Sequence, residues 1–255
     1  MKEKICEINQ YQKNYQKQAL VVLFLAMVVL LISFWTIPHL ITLSVIVMMV
    51  GILVYFMIHE LQLALQGRVE SLLLNADYPA FSALRFDVGK GIDEHLLLAQ
   101  KVVASGLSHE CKNVCESDDF YFEESWFYHK ISARFLPLTH TVFEGIIGAF
   151  SVPKEMMSGQ AQIYKQKNEL QVTGGLAHYL VEKQAVVLIE RLMLLLGGQK
   201  ATVVADGEQV YIWFYTHHSL YPTVPLFRPF QGQKFIQQVL CLKLAAEQLA
   251  RAFSA

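Results

Sequence analysis

Residues 19–37 read ALVVLFLAMVVLLISFWTI and residues 40–58 read LITLSVIVMMVGILVYFMI, two charge-free stretches separated only by Pro38 and His39. A helix rises about 1.5 Å per residue and the hydrocarbon core of a bilayer is about 30 Å thick, so roughly 20 apolar residues cross it. Each stretch has the length of a span, and the pair reads as a transmembrane hairpin. A cleaved secretory signal is the competing reading, because Lys2, Lys4, Lys13 and Lys17 precede the first run. That run is longer than a signal's apolar segment, no small-residue cleavage pattern follows it, and a second span begins at once.

The spans account for an unusual composition. The 255 residues are 54% hydrophobic and only 17% charged, too apolar for a soluble domain of that length. Basic residues beside spans stay in the cytoplasm. The tail, residues 1–18, holds four lysines, the turn holds no lysine or arginine, and Arg68 follows the second span. Both termini are expected on the cytoplasmic side of a bacterial inner membrane, in a multi-pass topology. Trp35 and Tyr55 stand near span ends, where a half-wet ring is at home. A nucleic-acid partner is excluded, since the net charge is −1 and the basic residues form no concentrated patch. The four cysteines are scattered, and a cytoplasmic domain would keep them reduced.

Outward from the hairpin, the tail carries Ile5, Ile8, Tyr11 and Tyr15 at helical intervals, which fits a short interfacial helix or a solvated tail equally. Beyond the second span, Leu61, Leu65, Val69, Leu72 and Leu73 keep that spacing through a juxtamembrane helix over 59–78, ended by the turn-favouring Asn75 to Pro79. Residues 79–255 then form one cytoplasmic domain. The pattern predicts a helix over 92–104, strands over 126–136 and 140–152, and short strands over 159–164 and 169–173. It continues with a helix over 182–196 stopped by Gly197-Gly198, a hairpin of 201–205 and 209–216 across Asp206-Gly207, and a last helix over 231–253. The order argues for an α+β fold with a mainly antiparallel sheet and packed helices.

The usual signatures of catalysis are missing: there is no Gly-rich phosphate loop, HExxH or GxSxG. No catalytic or cofactor-binding residue is assigned and no cofactor is expected. His109, Cys111 and Cys115 are the best metal set, but a structural zinc site wants four ligands in two close pairs and the second pair is absent, so no metal is expected. His217 and His218 are adjacent at the end of a strand, where side chains diverge, and are expected to cap it. His129, His140 and His178 stand alone in the sequence. The run ESDDFYFEE, 116–124, reads as a solvated loop with Phe120 and Phe122 tucked inward.

The stretch VFEGIIGAFSVPKEMMSGQAQIY, 142–164, resembles the hallmark of a bacterial family of membrane-anchored proteins, domain-of-unknown-function family 3137, where a "vF-x-G" strand leads to a small "G-x-x-x-I" strand. Ser105-Gly106-Leu107, the acidic Ser117-Asp118-Asp119, Tyr179-Leu180, Val210-Tyr211-Ile212 and Pro225-Leu226-Phe227 are similar to its flanking motifs, over about 80–240. The chain differs by a shorter loop before Trp126. The resemblance implies the architecture and no catalytic residues, the family's activity being itself unknown.

The function expected is that of a membrane-anchored, cytoplasm-facing docking or scaffold protein. The alternatives are an enzyme acting at the membrane surface on a lipid or peptide, and a structural subunit of a membrane complex. Its partners would be the lipid bilayer and other membrane or cytoplasmic proteins, a second copy included. In the last helix, Phe235, Val239, Leu242, Ala246, Leu249 and Phe253 form a stripe wide enough for core packing. Ile236 and Leu240 widen it, and are the candidate interaction face.

Overall fold

The computed structural model describes residues 2–36, 40–74, 81, 84–88, 107–132, 137–152, 158–166, 169–221 and 224–254. The chain divides into two compact units, Met1–Tyr78 with Thr223–Lys234, and Pro79–Pro222 with Phe235–Ala255. Residues 223–234, assigned by sequence to the sheet domain, thus group with the apolar helices.

The first unit is built on α1 (Lys2–Thr36) and α2 (Leu40–Leu74). Both are long and apolar enough to cross a membrane. Their apolar side chains point outward: Phe24 is 59% exposed, Ile41 81% and Trp35 86%. Such a girdle fits a hydrocarbon surrounding rather than water. The few hydroxyls in it bond their own helix, Thr36 to the carbonyl of Ile32 at 2.8 Å and Ser44 to that of Ile41 at 2.7 Å, as a medium without water requires. The tail is not a separate interfacial helix; it forms the first turns of α1. There and in the continuation of α2 the pattern changes to a buried stripe, with Ile8, Gln12 and Ala19 on α1 and Leu65, Val69 and Leu73 on α2. Gly51 meets no atom within 4 Å of where a Cβ would stand, so it serves no close helix approach within the chain.

The second unit is α+β. Eight strands, β1 (Arg85–Val88), β2 (Ser108–Glu116), β3 (Phe120–Ser132), β4 (Pro137–Ser151), β5 (Gly159–Gln166), β6 (Glu169–Gly174), β7 (Lys200–Ala205) and β8 (Gln209–Tyr215), form one sheet in the order β1-β2-β3-β4-β8-β7-β5-β6. Every neighbouring pair is antiparallel. Three helices follow the strands of the second half, α3 (Ala177–Glu182), α4 (Ala185–Leu195) and α5 (Gly232–Ser254). One sheet face carries Phe122, Phe150 and Phe214, and Phe253 of α5 meets the Phe150 ring edge-on at 5.8 Å. The other face holds a second aromatic cluster of Phe127, Phe143, Ile147, Tyr211 and Trp213.

Local chemistry explains the elements. The β7–β8 turn is held by Asp206, whose Oδ1 accepts from the amides of Glu208 at 3.0 Å and Gln209 at 2.7 Å, while Gly207 takes φ 97°. Helix α4 ends at Gly197, φ 68°, with the amide of Gly198 bonded to the carbonyl of Met193 at 2.7 Å and the hydroxyl of Thr216 to that of Leu196 at 2.7 Å. The glycine of the Phe-Glu-Gly stretch in β4 has a steric reason: a Cβ on Gly145 would stand 2.1 Å from the backbone oxygen of Phe214 on β8.

Three differences from the sequence expectations follow from local geometry. The helix expected over 182–196 begins only at Ala185, because Gln184 turns left-handed at φ 54°, and the short helix α3 before it was not expected. The acidic loop over 116–124 shrinks to a tight turn closed by the Ser117 amide on the Phe120 carbonyl at 2.8 Å, since Phe120 to Glu124 already belong to β3. Strands β1 and β2 were not expected: β1 is only four residues long, and β2 carries no clean alternation. The helix expected over 92–104 lies outside the described residues.

Candidate functional site

The polar groups that chemistry would need gather on β3. Residues of a strand alternate between faces, so Tyr121, Glu123, Ser125 and Phe127 share one face and Phe120, Phe122 and Glu124 the other. Glu123 is fully buried and Glu124 is 7% exposed. Buried carboxylates are costly unless hydrogen-bonded. Each has its own set of donors.

Glu124 lies among three donors. Its Oε2 accepts from Asn113 Nδ2 at 2.8 Å, from Ser219 Oγ at 2.8 Å and from the Leu220 amide at 3.3 Å. Nearby, the Tyr221 hydroxyl donates to the carbonyl of Val114 at 3.0 Å. The segment after β8 is thereby tied to β2 and β3.

Glu123 accepts from the Tyr121 hydroxyl at 2.9 Å and from Ser125 Oγ through a short bond, with His109 Nε2 at 3.4 Å from Oε1. The His109 ring stacks flat on Phe127, centroids 4.4 Å apart, and its Nε2 is also 3.1 Å from Ser125 Oγ. A serine, a histidine and a carboxylate are together, but not as a relay. In a nucleophile triad the two ring nitrogens face the serine and the acid separately. Here Nε2 faces both, the serine proton goes to the carboxylate, and Ser125 is fully buried. Cys111 hydrogen-bonds the same carboxylate, and burial followed by the charge of Glu123 pushes its thiol up to about 12. Burial alone lifts Cys115 to about 12 against a weak opposing pull from Lys243. Protonated thiols are poor nucleophiles and poor metal ligands. Burial, then Glu123, also raises the Tyr121 hydroxyl. Tyr121, Ser125 and Cys111 thus gather their hydrogen bonds on the Glu123 carboxylate.

The sequence's metal set does not converge. Cys111 pairs with Ser125 and Cys115 with Phe122, and a bulge between Cys111 and Val114 shifts the register. His109 and Cys111 therefore share a face while Cys115 points to the other. Among the described residues no group of three His, Cys, Asp or Glu side chains is placed to hold a metal ion. His217 and His218 do diverge: His217 Nδ1 lies 3.4 Å from Glu144, and the His218 ring lies against Gly197. His129 and His140, isolated in sequence, stand directly opposite each other on β3 and β4.

An open depression of about 350 Å³ lies at the end of β3, β4 and β8, with Tyr121, Phe150 and Tyr211 as aromatic walls and Glu116 and Asp118 at its acidic rim. Next to this row, Trp213 Nε1 and Thr202 Oγ1, on paired residues of β8 and β7, have no hydrogen-bond partner among the described residues.

The candidate interaction face is not free. Ile236 is 7% exposed and Leu240 half-buried, so the apolar arc of α5 is wider than the stripe alone and is already covered there. The exposed leucine of α5 is Leu244, at 56%. The paired carboxylates escaped sequence reasoning because acids normally signal solvent. Their signal was the run FYFEESWFY, whose aromatic positions flank the acids on both faces of one strand. Comparison with family models, curated proteins and solved structures finds no match.

Proposed function

We propose that the chain is a membrane-anchored docking protein, set by its hairpin in the bacterial inner membrane with both termini and the sheet domain in the cytoplasm. The lysines of the tail support the orientation, and the resemblance to membrane-anchored family 3137 agrees with the plan. The observation that carries docking over chemistry is the outer side of α4 and α5. Arg191 of α4 bonds Gln248 of α5 at 3.3 Å, a link between the two helices at the surface. Val187, 66% exposed, and Leu194, 62%, flank Arg191 one turn to either side, and Leu244 stands one turn before Gln248. Exposed apolar side chains on a helix surface suit a protein contact, while the carboxylates and serine of β3 and the thiols of β2 are turned inward. The occupant is a protein with an apolar face rimmed by polar groups.

The test is site-specific photocrosslinking in cells expressing the full chain. A benzophenone at Val187 should give a discrete adduct that a Leu244→Arg substitution abolishes, and one at Thr173, exposed on β6, should give none. Equal labelling at both positions, or an adduct indifferent to Leu244→Arg, would sink the docking reading.

A further inference from the structure

The first unit contains a feature that a simple anchor does not need. Residues 224–232 form a strap laid along the non-spanning ends of α1 and α2, and glutamine side chains hold its backbone. The Val224 amide bonds Gln66 Oε1 at 2.6 Å. Gln12 Nε2 donates to the carbonyl of Pro225 at 2.8 Å and, through a short bond, to that of Arg228, and Gln16 Nε2 donates to that of Leu226 at 2.8 Å. Farther on, Gly232 packs against Ile5, where a Cβ would meet the isoleucine at 3.1 Å. Read along α1, the strap rises to the level of Gln16 at Leu226 and then retreats through Gln12 to Ile5. Its apex is Leu226-Phe227.

That apex is placed beside the bilayer boundary. Gln16 precedes the first residue of the charge-free run, Ala19, by three positions, about 4.5 Å of helical rise. Leu226 is buried at 3%, but Phe227 is 53% exposed, a large ring at the tip of a held loop. At the same level of α1, next to Gln12 and Gln16, Lys13 and Lys17 are exposed, as is Arg228, which follows Phe227. Glu60 is the acid nearest the boundary, while Glu7 and Glu70 stand about 18 Å of helical rise from it. An exposed aromatic ring among cations at the level where apolar chain begins matches the interface of an anionic bilayer.

We propose that the strap is a third membrane contact: Phe227 enters the headgroup region, and Arg228 with Lys13 and Lys17 binds the phosphates of anionic phospholipid. The inference rests on the hairpin being in a bilayer, and the test separates the two. The full chain is reconstituted in vesicles of phosphatidylcholine and phosphatidylglycerol carrying bromine at shallow acyl positions, which quenches nearby tryptophan. Trp35, at the far end of the hairpin, reports its insertion through the quenching that Trp35→Phe removes, Trp126 and Trp213 being common to both proteins. In a Trp35→Phe background, Phe227→Trp should restore strong quenching, and the quenching should weaken when phosphatidylglycerol is omitted or Arg228→Gln is added. Quenching of Trp35 with none from the residue introduced at position 227 would overturn the proposal and leave the hairpin standing. Absence of both would remove the membrane reading and the strap contact with it. A second measurement needs no substitution: a phospholipid with a photoreactive group near its headgroup should label the peptide containing residues 226–228, and labelling confined to α1 and α2 would overturn the proposal.

Discussion

Asn113→Ala tests whether the polar network on β3 holds the sheet together. Asn113 is 3% exposed and supplies one of three donors to Glu124 Oε2, at 2.8 Å. A hydrogen bond to a charged group contributes about 1.5–3 kcal/mol, and a buried acceptor that loses a donor bears part of its desolvation cost. Ser219 and the Leu220 amide remain, so the lower half of that range applies, about 2 kcal/mol. For a domain of this size each kcal/mol moves the melting temperature by about 2–4 °C, so the midpoint should fall by roughly 4–8 °C. The assay is thermal unfolding of the full chain in detergent, followed through Trp126 and Trp213. A double-mutant cycle isolates the cause. In a Glu124→Gln background the acceptor is neutral, and Asn113→Ala should cost only about 0.5–1.5 kcal/mol. Equal costs in both backgrounds would mean that Asn113 acts by filling space, and the network argument would fail.

The thiols give a second test. Cys6 and Cys241 are exposed and should be alkylated at pH 8, as read by mass spectrometry, while buried Cys115 should react only after unfolding and half-buried Cys111, its thiol raised to about 12, more slowly than the exposed pair. The same thiols are raised from 9.0 to about 12, so the folded state holds protons that the unfolded state releases. Their contribution is complete below about pH 9 and should decline as pH rises toward about 12, with a shallower alkaline slope in Cys115→Ala. A reporter active only in the periplasm, fused after Ala255, should be silent, and strong activity would invert the proposed orientation.

The sequence made the hairpin legible because charge-free runs of span length have few other uses. The β7–β8 hairpin and the last helix were legible because Asp206-Gly207 and a four-three apolar stripe are local signals. The site was less so. Whether Glu123 faces water depends on which strands flank β3, and β2, with Asn113, His109 and Cys111, carries a bulge that breaks the period-two pattern by which a strand announces itself. The strap was invisible for a related reason. Pro225-Leu226-Phe227 reads as a loop, and only long-range partners, Gln12 and Gln16 more than 200 residues earlier, give it a shape.

These long-range bonds share a logic. Residues 219–221 are held in the sheet unit by Glu124 and the Val114 carbonyl, and residues 224–228 in the helical unit by Gln66, Gln12 and Gln16. The chain that passes from one unit to the other is thus fixed in each by side chains reaching its backbone or its own polar groups, not by secondary structure. Amide side chains suit this task, because a glutamine satisfies a carbonyl or an amide of irregular chain without adding charge near a bilayer surface. The same economy governs β3, where two consecutive acids each take hydrogen bonds on their own face of the sheet. The protein's exposed apolar groups include the girdle of α1 and α2, the ring of Phe227, and Val187, Leu194 and Leu244. On the proposed reading the first two would meet lipid and the last a protein, the division a membrane-bound docking protein requires.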